Sequence, residues 1–169
     1  MDGLKILQIV GFKDSGKTTL MLELIRQAAA SGKRVAAVKH HGHSGALDMP
    51  PATTDSMRFF DQGAEASIVY GGGVIQQHVR KEEAAVEELV AMAAQMNTDF
   101  IFIEGFKEAP YEKIVLIRSL SDWEELKSLS HIALVVAHEE VTDDSTVIGR
   151  NETDRITEWF ADWMERNSP

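Results

Sequence analysis

Gly11-Phe12-Lys13-Asp14-Ser15-Gly16-Lys17-Thr18 decides the fold. The stretch fits G-x-x-x-x-G-K-[ST], a loop that holds phosphate. Its flanks carry as much information as the match. Residues 4–10 contain Ile6, Leu7, Ile9 and Val10 and predict a buried parallel strand. Residues 19–30 contain Leu20, Leu22, Leu24, Ile25, Ala28 and Ala29 with no proline, which predicts a helix. Strand, glycine loop, helix is the context the motif requires.

The residue types follow from the chemistry. Gly11 and Gly16 allow backbone torsions that a side chain would forbid, so successive N–H groups can point at phosphate oxygens. The helix N-terminus adds unpaired donors and partial positive charge. Lys17 can reach the β- and γ-phosphates, and the Thr18 hydroxyl can ligate Mg²⁺. Lys13, Asp14, Ser15 and Thr19 complete the candidate contact set. A plain glycine turn before a helix would match the same pattern; the correct flanks favour nucleotide binding.

The chain has 169 residues, enough for one P-loop nucleotide-binding domain over 1–169. Its net charge is −10, from 17 basic and 27 acidic side chains, which argues against bulk nucleic-acid or anionic-membrane binding. No run of eighteen apolar residues indicates a membrane span, and the first apolar run is strand and motif rather than a signal peptide. There is no cysteine, which excludes disulfides and thiolate metal sites and fits a cytoplasmic protein.

Strands and helices alternate along the rest of the chain. Residues 34–39 predict a second strand after a Ser31-Gly32 helix stop. Residues 40–54, with Gly42, Gly45, Pro50 and Pro51, predict a long functional loop. Thr54 or Asp55 can cap a short helix through Met57, Phe59 and Phe60. Residues 67–70 and 74–79 flank Gly71-Gly72-Gly73 and predict a hairpin. Residues 81–96 place Val86, Leu89, Val90 and Ala93 on one face of a helix. Residues 113–118 and 132–137 predict strands, and Ser121 with Glu124 has a capping-box pattern. Ile156, Trp159, Phe160, Trp163 and Met164 mark a C-terminal helix docked on the sheet. The βαβ series predicts an α/β, three-layer P-loop NTPase fold, a mainly parallel sheet with helices on both faces.

Phe100-Ile101-Phe102-Ile103 predicts a buried strand ending in Glu104-Gly105. An apolar strand closed by a carboxylate resembles a Walker B strand and places Glu104 near the metal or its water shell; a solvent-facing strand-end glutamate would read the same way. Asp99, at the other end of a parallel strand, would lie away from the phosphates. His40, His41 and His43 follow Lys39. They can bind a transition metal, or with Lys39 face an anionic ligand beside the loop. His78, His131 and His138 are isolated, and no role is assigned to them.

Gly11 to Thr19, Val38-Lys39-His40 with His43, Asp55-Ser56 before Gly63-Ala64, and Glu104-Gly105-Phe106-Lys107 resemble, in the same order, the molybdopterin-guanine dinucleotide biosynthesis protein B (MobB) family. Lys113-Ile114-Val115 with Arg118 is similar to the segment that follows. The resemblance implies a GTP-binding accessory protein of molybdenum cofactor maturation, with at most slow GTP hydrolysis. It implies a partner enzyme of the molybdopterin guanylyltransferase type, with molybdopterin as a further ligand, and a homodimer. It places Thr18, Asp55 and Glu104 at the metal, Glu104 and Asp55 being the catalytic candidates. It places Lys39, His40, His43 and Lys107 along the pocket or the partner-ligand surface.

The chain departs from the family pattern. Thr53 and Thr54 stand where Gly-Lys often precedes the Asp-Ser pair. Phe12 stands where the related signature-lysine P-loop proteins carry lysine. The guanine-reading Asn-Lys-x-Asp is absent; Asn151-Glu152-Thr153-Asp154 matches it in part and suits a helix cap. Glu139 can stand for a family aspartate. A small-molecule kinase with the 40–54 loop as its lid, and a metal-delivery GTPase using the histidines, stay open as alternative functions.

Overall fold

Side-chain alternation along the central strands divides the core between two faces of one sheet. The structure is a computed structural model that describes residues 3–42, 46–138 and 147–166. These fall into two compact units, the larger spanning 1–42 and 86–169 and the smaller 43–85.

In the larger unit, β1 (Lys5–Gly11), β2 (Val35–Lys39), β5 (Phe100–Glu104), β6 (Lys113–Ile117), β7 (Ile132–Ala137) and β8 (Val147–Gly149) form a six-stranded sheet in the order β2-β5-β1-β6-β7-β8. β3 and β4 belong to the smaller unit and are described below. Every pairing in the large sheet is parallel. Leu7, Ile9, Phe100, Phe102, Ile114, Leu116, Leu134 and Val136 face α1 (Lys17–Ala30) and α5 (Thr153–Glu165). On the other face, Ile101 and Ile103 pack with α3 (Val86–Ala94), and Val115, Ile117 and Val135 pack with α4 (Leu120–Leu126). The period-2 pattern thus fills both layers, giving the expected α/β architecture with helices on both faces.

The smaller unit holds α2 (Asp55–Asp61) and the antiparallel hairpin of β3 (Ala66–Gly71) and β4 (Val74–Val79). Arg80 ties it together, its guanidinium 4.1 Å from the Phe60 ring and donating to the Phe60 carbonyl at 2.6 Å. Ser67 Oγ donates to the Ser56 carbonyl at 2.9 Å.

Three local expectations need correction, and one strand was missed. α3 begins at Val86 rather than residue 81, because Lys81, Glu82 and Glu83 are exposed and Val86 is the first residue with a buried face. α4 begins at Leu120, with Ser119 rather than Ser121 at the cap position and no capping bond from its side chain. Its start is held by Asp122, whose Oδ2 accepts the Arg118 N–H at 2.9 Å. Thr54 stands at the α2 cap position, yet its hydroxyl donates back to the Pro51 carbonyl at 3.0 Å instead of capping. β8 was not anticipated; at three residues it is too short to show a period.

Candidate phosphate and metal site

The loop between β1 and α1 takes the conformation its glycines allow. Gly16 caps α1 in the left-handed region at φ 88°, and no acidic side chain occupies the first helical turn. The first N–H groups of α1 therefore face outward without an intrahelical acceptor or a nearby carboxylate of their own turn. Gly11 has no room for a side chain: a Cβ there would stand 2.6 Å from Ser15 Oγ and 2.7 Å from the Leu116 carbonyl oxygen. Ser15 is fully buried, with its hydroxyl turned toward Gly11. Asp14, Gly16, Lys17, Thr18 and Thr19 line an open cleft of about 380 Å³. Lys13 is exposed on the loop.

Strand register sets the rest of the site. Lys39 on β2, Glu104 on β5 and Ile9 on β1 are neighbours in one row. Glu104 continues the face of Phe100 and Phe102, which looks toward α1. Its carboxylate is therefore held between two elements. Thr18 Oγ1 donates to Oε2 at 3.0 Å, and Lys39 Nζ donates to Oε1 at 2.7 Å. Glu104 is only 7% exposed, and such burial of a carboxylate requires partners of this kind.

Lys17 Nζ donates to the Phe12 carbonyl at 2.5 Å. Burial lowers its pKa, Glu104 opposes the shift, and the charges of Lys39 and Lys107 add to it. Lys17 thus has the like charges of Lys39 and Lys107 and the opposite charges of Glu104 and Asp14 within electrostatic reach, in a chain of net charge −10.

The turn after β5 is tightly held. Gly105 has φ 94° and Phe106 φ 52°. A Cβ on Gly105 would stand 2.9 Å from His40 Cβ. The His40 ring lies 4.7 Å from that of Phe106, and the His40 backbone N–H donates to the Glu104 carbonyl at 2.9 Å. From beneath, the buried Gln8 amide donates to the Gly105 and Phe106 carbonyls at 2.6 and 2.5 Å.

Residues that the sequence reading did not assign also reach the loop. His138 Nε2 lies 2.9 Å from the Ser15 carbonyl, brought there because β7 ends at the same edge of the sheet as β1. Only its place directly after a strand could have signalled this. Arg118 forks onto Asp122 at 2.7 and 2.8 Å and donates to the Lys13 carbonyl at 3.2 Å. The fork holds the Asp122 carboxyl down to about 2.

Asp99 lies elsewhere. Asp99 pairs with Arg34 at 2.9 Å, at the far end of β5 from Glu104. Asp55 belongs to the smaller unit, on the first turn of α2, with Arg58 at 3.5 Å and its side chain 81% exposed. His43 and Glu139 lie outside the described residues. Among the described residues no group of three His, Cys, Asp or Glu side chains is placed to hold a metal ion. No described helix is long and apolar enough to cross a membrane.

The family model for molybdopterin guanine dinucleotide synthesis protein B (MobB) matches residues 6–138. The chain belongs to the MobB family. That match runs from β1 to the end of β7, so Lys17, Lys39, Glu104, Lys107 and His138 all fall within it. The chain is 35% identical over 135 residues to a probable molybdopterin-guanine dinucleotide biosynthesis adapter protein of Bacillus subtilis, covering 80% of this chain and 78% of that one. It is 27% identical over 168 residues to the molybdopterin-guanine dinucleotide biosynthesis adapter protein of Escherichia coli, covering 96% and 95%. A MobB protein homolog from Bacillus stearothermophilus superposes with TM-score 0.78 at 31% identity, over 94% of this chain and 97% of that structure. Bacillus subtilis MobB superposes with TM-score 0.74 at 30% identity, over 92% and 97%.

Proposed function

We propose that this chain is a Mg·GTP-binding adapter of molybdopterin guanine dinucleotide biosynthesis, acting beside an enzyme of the guanylyltransferase type. The carrying observation is the shared Glu104 carboxylate, which joins Thr18 on the phosphate loop to Lys39 on β2. A hydroxyl and a carboxylate beside a lysine-bearing helix N-terminus suit a hard, oxygen-seeking cation such as Mg²⁺ and the phosphates it accompanies. The loop backbone of residues 11–16 and the first turn of α1 would hold phosphate oxygens, with Lys17 as the main cation. Thr18 and Glu104 would hold the metal or its water shell; when bound, Mg²⁺ would offset the charge on the phosphates. Lys39, His40 and Lys107 would line the nucleotide pocket or the adjoining surface where a second anionic ligand such as molybdopterin would sit. Guanine preference is taken from the family relation, and any GTP hydrolysis is expected to be slow.

The proposed homodimer has a fitting surface in the hairpin. Ile68, Tyr70 and Ile75 share one face of it and are 65%, 75% and 66% exposed. A two-stranded hairpin with wet apolar faces gains stability by packing on a second copy. The reading of function is tested by calorimetric titration with Mg·GTP and Mg·ATP. A nucleotide-dependent pull-down of a molybdopterin-handling guanylyltransferase completes the test. No binding of either nucleotide would overturn it.

A further inference from the structure

Phe12 is a large apolar side chain at the second position of a phosphate loop, and the structure gives it two cationic neighbours. Lys107 Nζ stands 4.0 Å from its ring centroid and Arg118 Cζ 5.8 Å. The ring packs against the apolar cluster of Val10, Val115 and Ile117. Arg118 is itself fixed by Asp122 and the Lys13 carbonyl, so the ring is held from below and from the side. Lys107 comes from the turn that Gln8 and His40 immobilise, three residues beyond Glu104.

The two lysines nearest Lys17 differ in how their charge is spent. Lys39 is neutralised by Glu104 at 2.7 Å. Among the described residues no carboxylate forms an ion pair with Lys107. Its charge is nonetheless felt at both Lys17 and Asp122. A phenyl face attracts an ammonium more weakly than a phosphate oxygen does. The ring therefore keeps the cation close without consuming its charge, and cedes it to an arriving anion. Holding a long side chain near its working position also reduces the ordering cost on binding.

We propose that Phe12 is a positioning residue that holds the Lys107 ammonium beside the phosphate loop for the terminal phosphate of a triphosphate, so that the pair sets the preference for triphosphate over diphosphate. The side follows from the proposed metal position: Thr18 and Glu104 would hold the ion beside the terminal phosphates, and the turn that continues from Glu104 carries Lys107. This inference rests on the nucleotide reading above and deepens it.

The test compares Mg·GTP and Mg·GDP affinities by calorimetry in the whole protein and in Phe12→Leu, Phe12→Trp, Lys107→Met and the Phe12→Leu/Lys107→Met double variant. Phe12→Leu is expected to lower the GTP-to-GDP affinity ratio by about two- to fivefold. Phe12→Trp should keep the ratio, and the double variant should match Lys107→Met alone, since the ring acts through the lysine. An unchanged ratio in Phe12→Leu, equal ratios for Leu and Trp, or additive losses in the double variant would each overturn the inference. If Phe12→Leu does not fold, Lys107→Met decides, and an unchanged ratio there overturns it. Failure of the unaltered protein to bind either nucleotide overturns the nucleotide reading itself, whereas binding with no dependence on Lys107 overturns this inference alone.

Discussion

Thr18 and Glu104, 86 residues apart, are joined by a hydrogen bond of 3.0 Å from the threonine hydroxyl to carboxylate Oε2. The other carboxylate oxygen holds Lys39. The bond links the first turn of α1 to the end of β5.

Glu104→Gln is expected to weaken nucleotide binding in the presence of Mg²⁺ more than in EDTA. The substitution keeps the shape and removes the charge that both Lys39 and a metal need. Calorimetry in the two buffers checks this, and equal losses would assign Glu104 a structural role.

Lys17→Ala should lower Mg·GTP affinity by about 10- to 150-fold, the range for a hydrogen bond to a charged group. Circular dichroism should show the fold retained, because among the described residues Lys17 Nζ bonds only to the Phe12 carbonyl, within its own loop. Unchanged affinity in a folded variant would remove the central assignment.

Gly105→Ala is expected to destabilise the protein by about 1–3 kcal/mol. The added methyl would meet His40 Cβ at 2.9 Å in a backbone conformation at φ 94° that alanine rarely adopts. Thermal melting measures the loss; a melting point equal to that of the unaltered protein would show that the turn can relax.

Stability should depend on acid through Asp122. Its folded pKa is depressed to about 2 by the Arg118 fork, below the unfolded value of about 3.9. The stabilisation is therefore present above about pH 4 and lost as pH falls through about 2. Asp122→Asn should be less stable at neutral pH and show a flatter acid limb. Denaturant melts between those values check the sign, and parallel acid limbs would assign the effect to other carboxylates.

Ile75→Asp, on the exposed face shared with Tyr70, is expected to shift the proposed homodimer toward monomer in light scattering. A mass unaffected by the change, or a monomer mass for the unaltered protein, would overturn the hairpin as a dimer surface.

Local pattern made much of this molecule legible. The strand, glycine loop and helix around Lys17 depend on neighbours within a few residues, so 3.6- and 2-residue periods and the glycine spacing suffice to locate them. The continuous apolar run of Phe100 to Ile103 likewise announced a buried strand, with Glu104 at its end. Where local pattern was thin, it misled. The charged residues before Val86 extended α3 too far, and three residues were too few to reveal β8.

The meetings that make the site are of another kind. Lys39 reaches Glu104 across 65 residues and His138 reaches Ser15 across 123, because strand order and register place the ends of β2, β5, β1 and β7 along one edge. Lys107 stands over Phe12 because two left-handed residues turn the chain back after β5. The sequence by itself determined where the glycine loop between a strand and a helix forms and that its strand lies in a parallel sheet, since those follow from short-range torsion and burial. Which cations gather around that loop was decided only by the tertiary structure, since periodicity carries no record of which strands become neighbours.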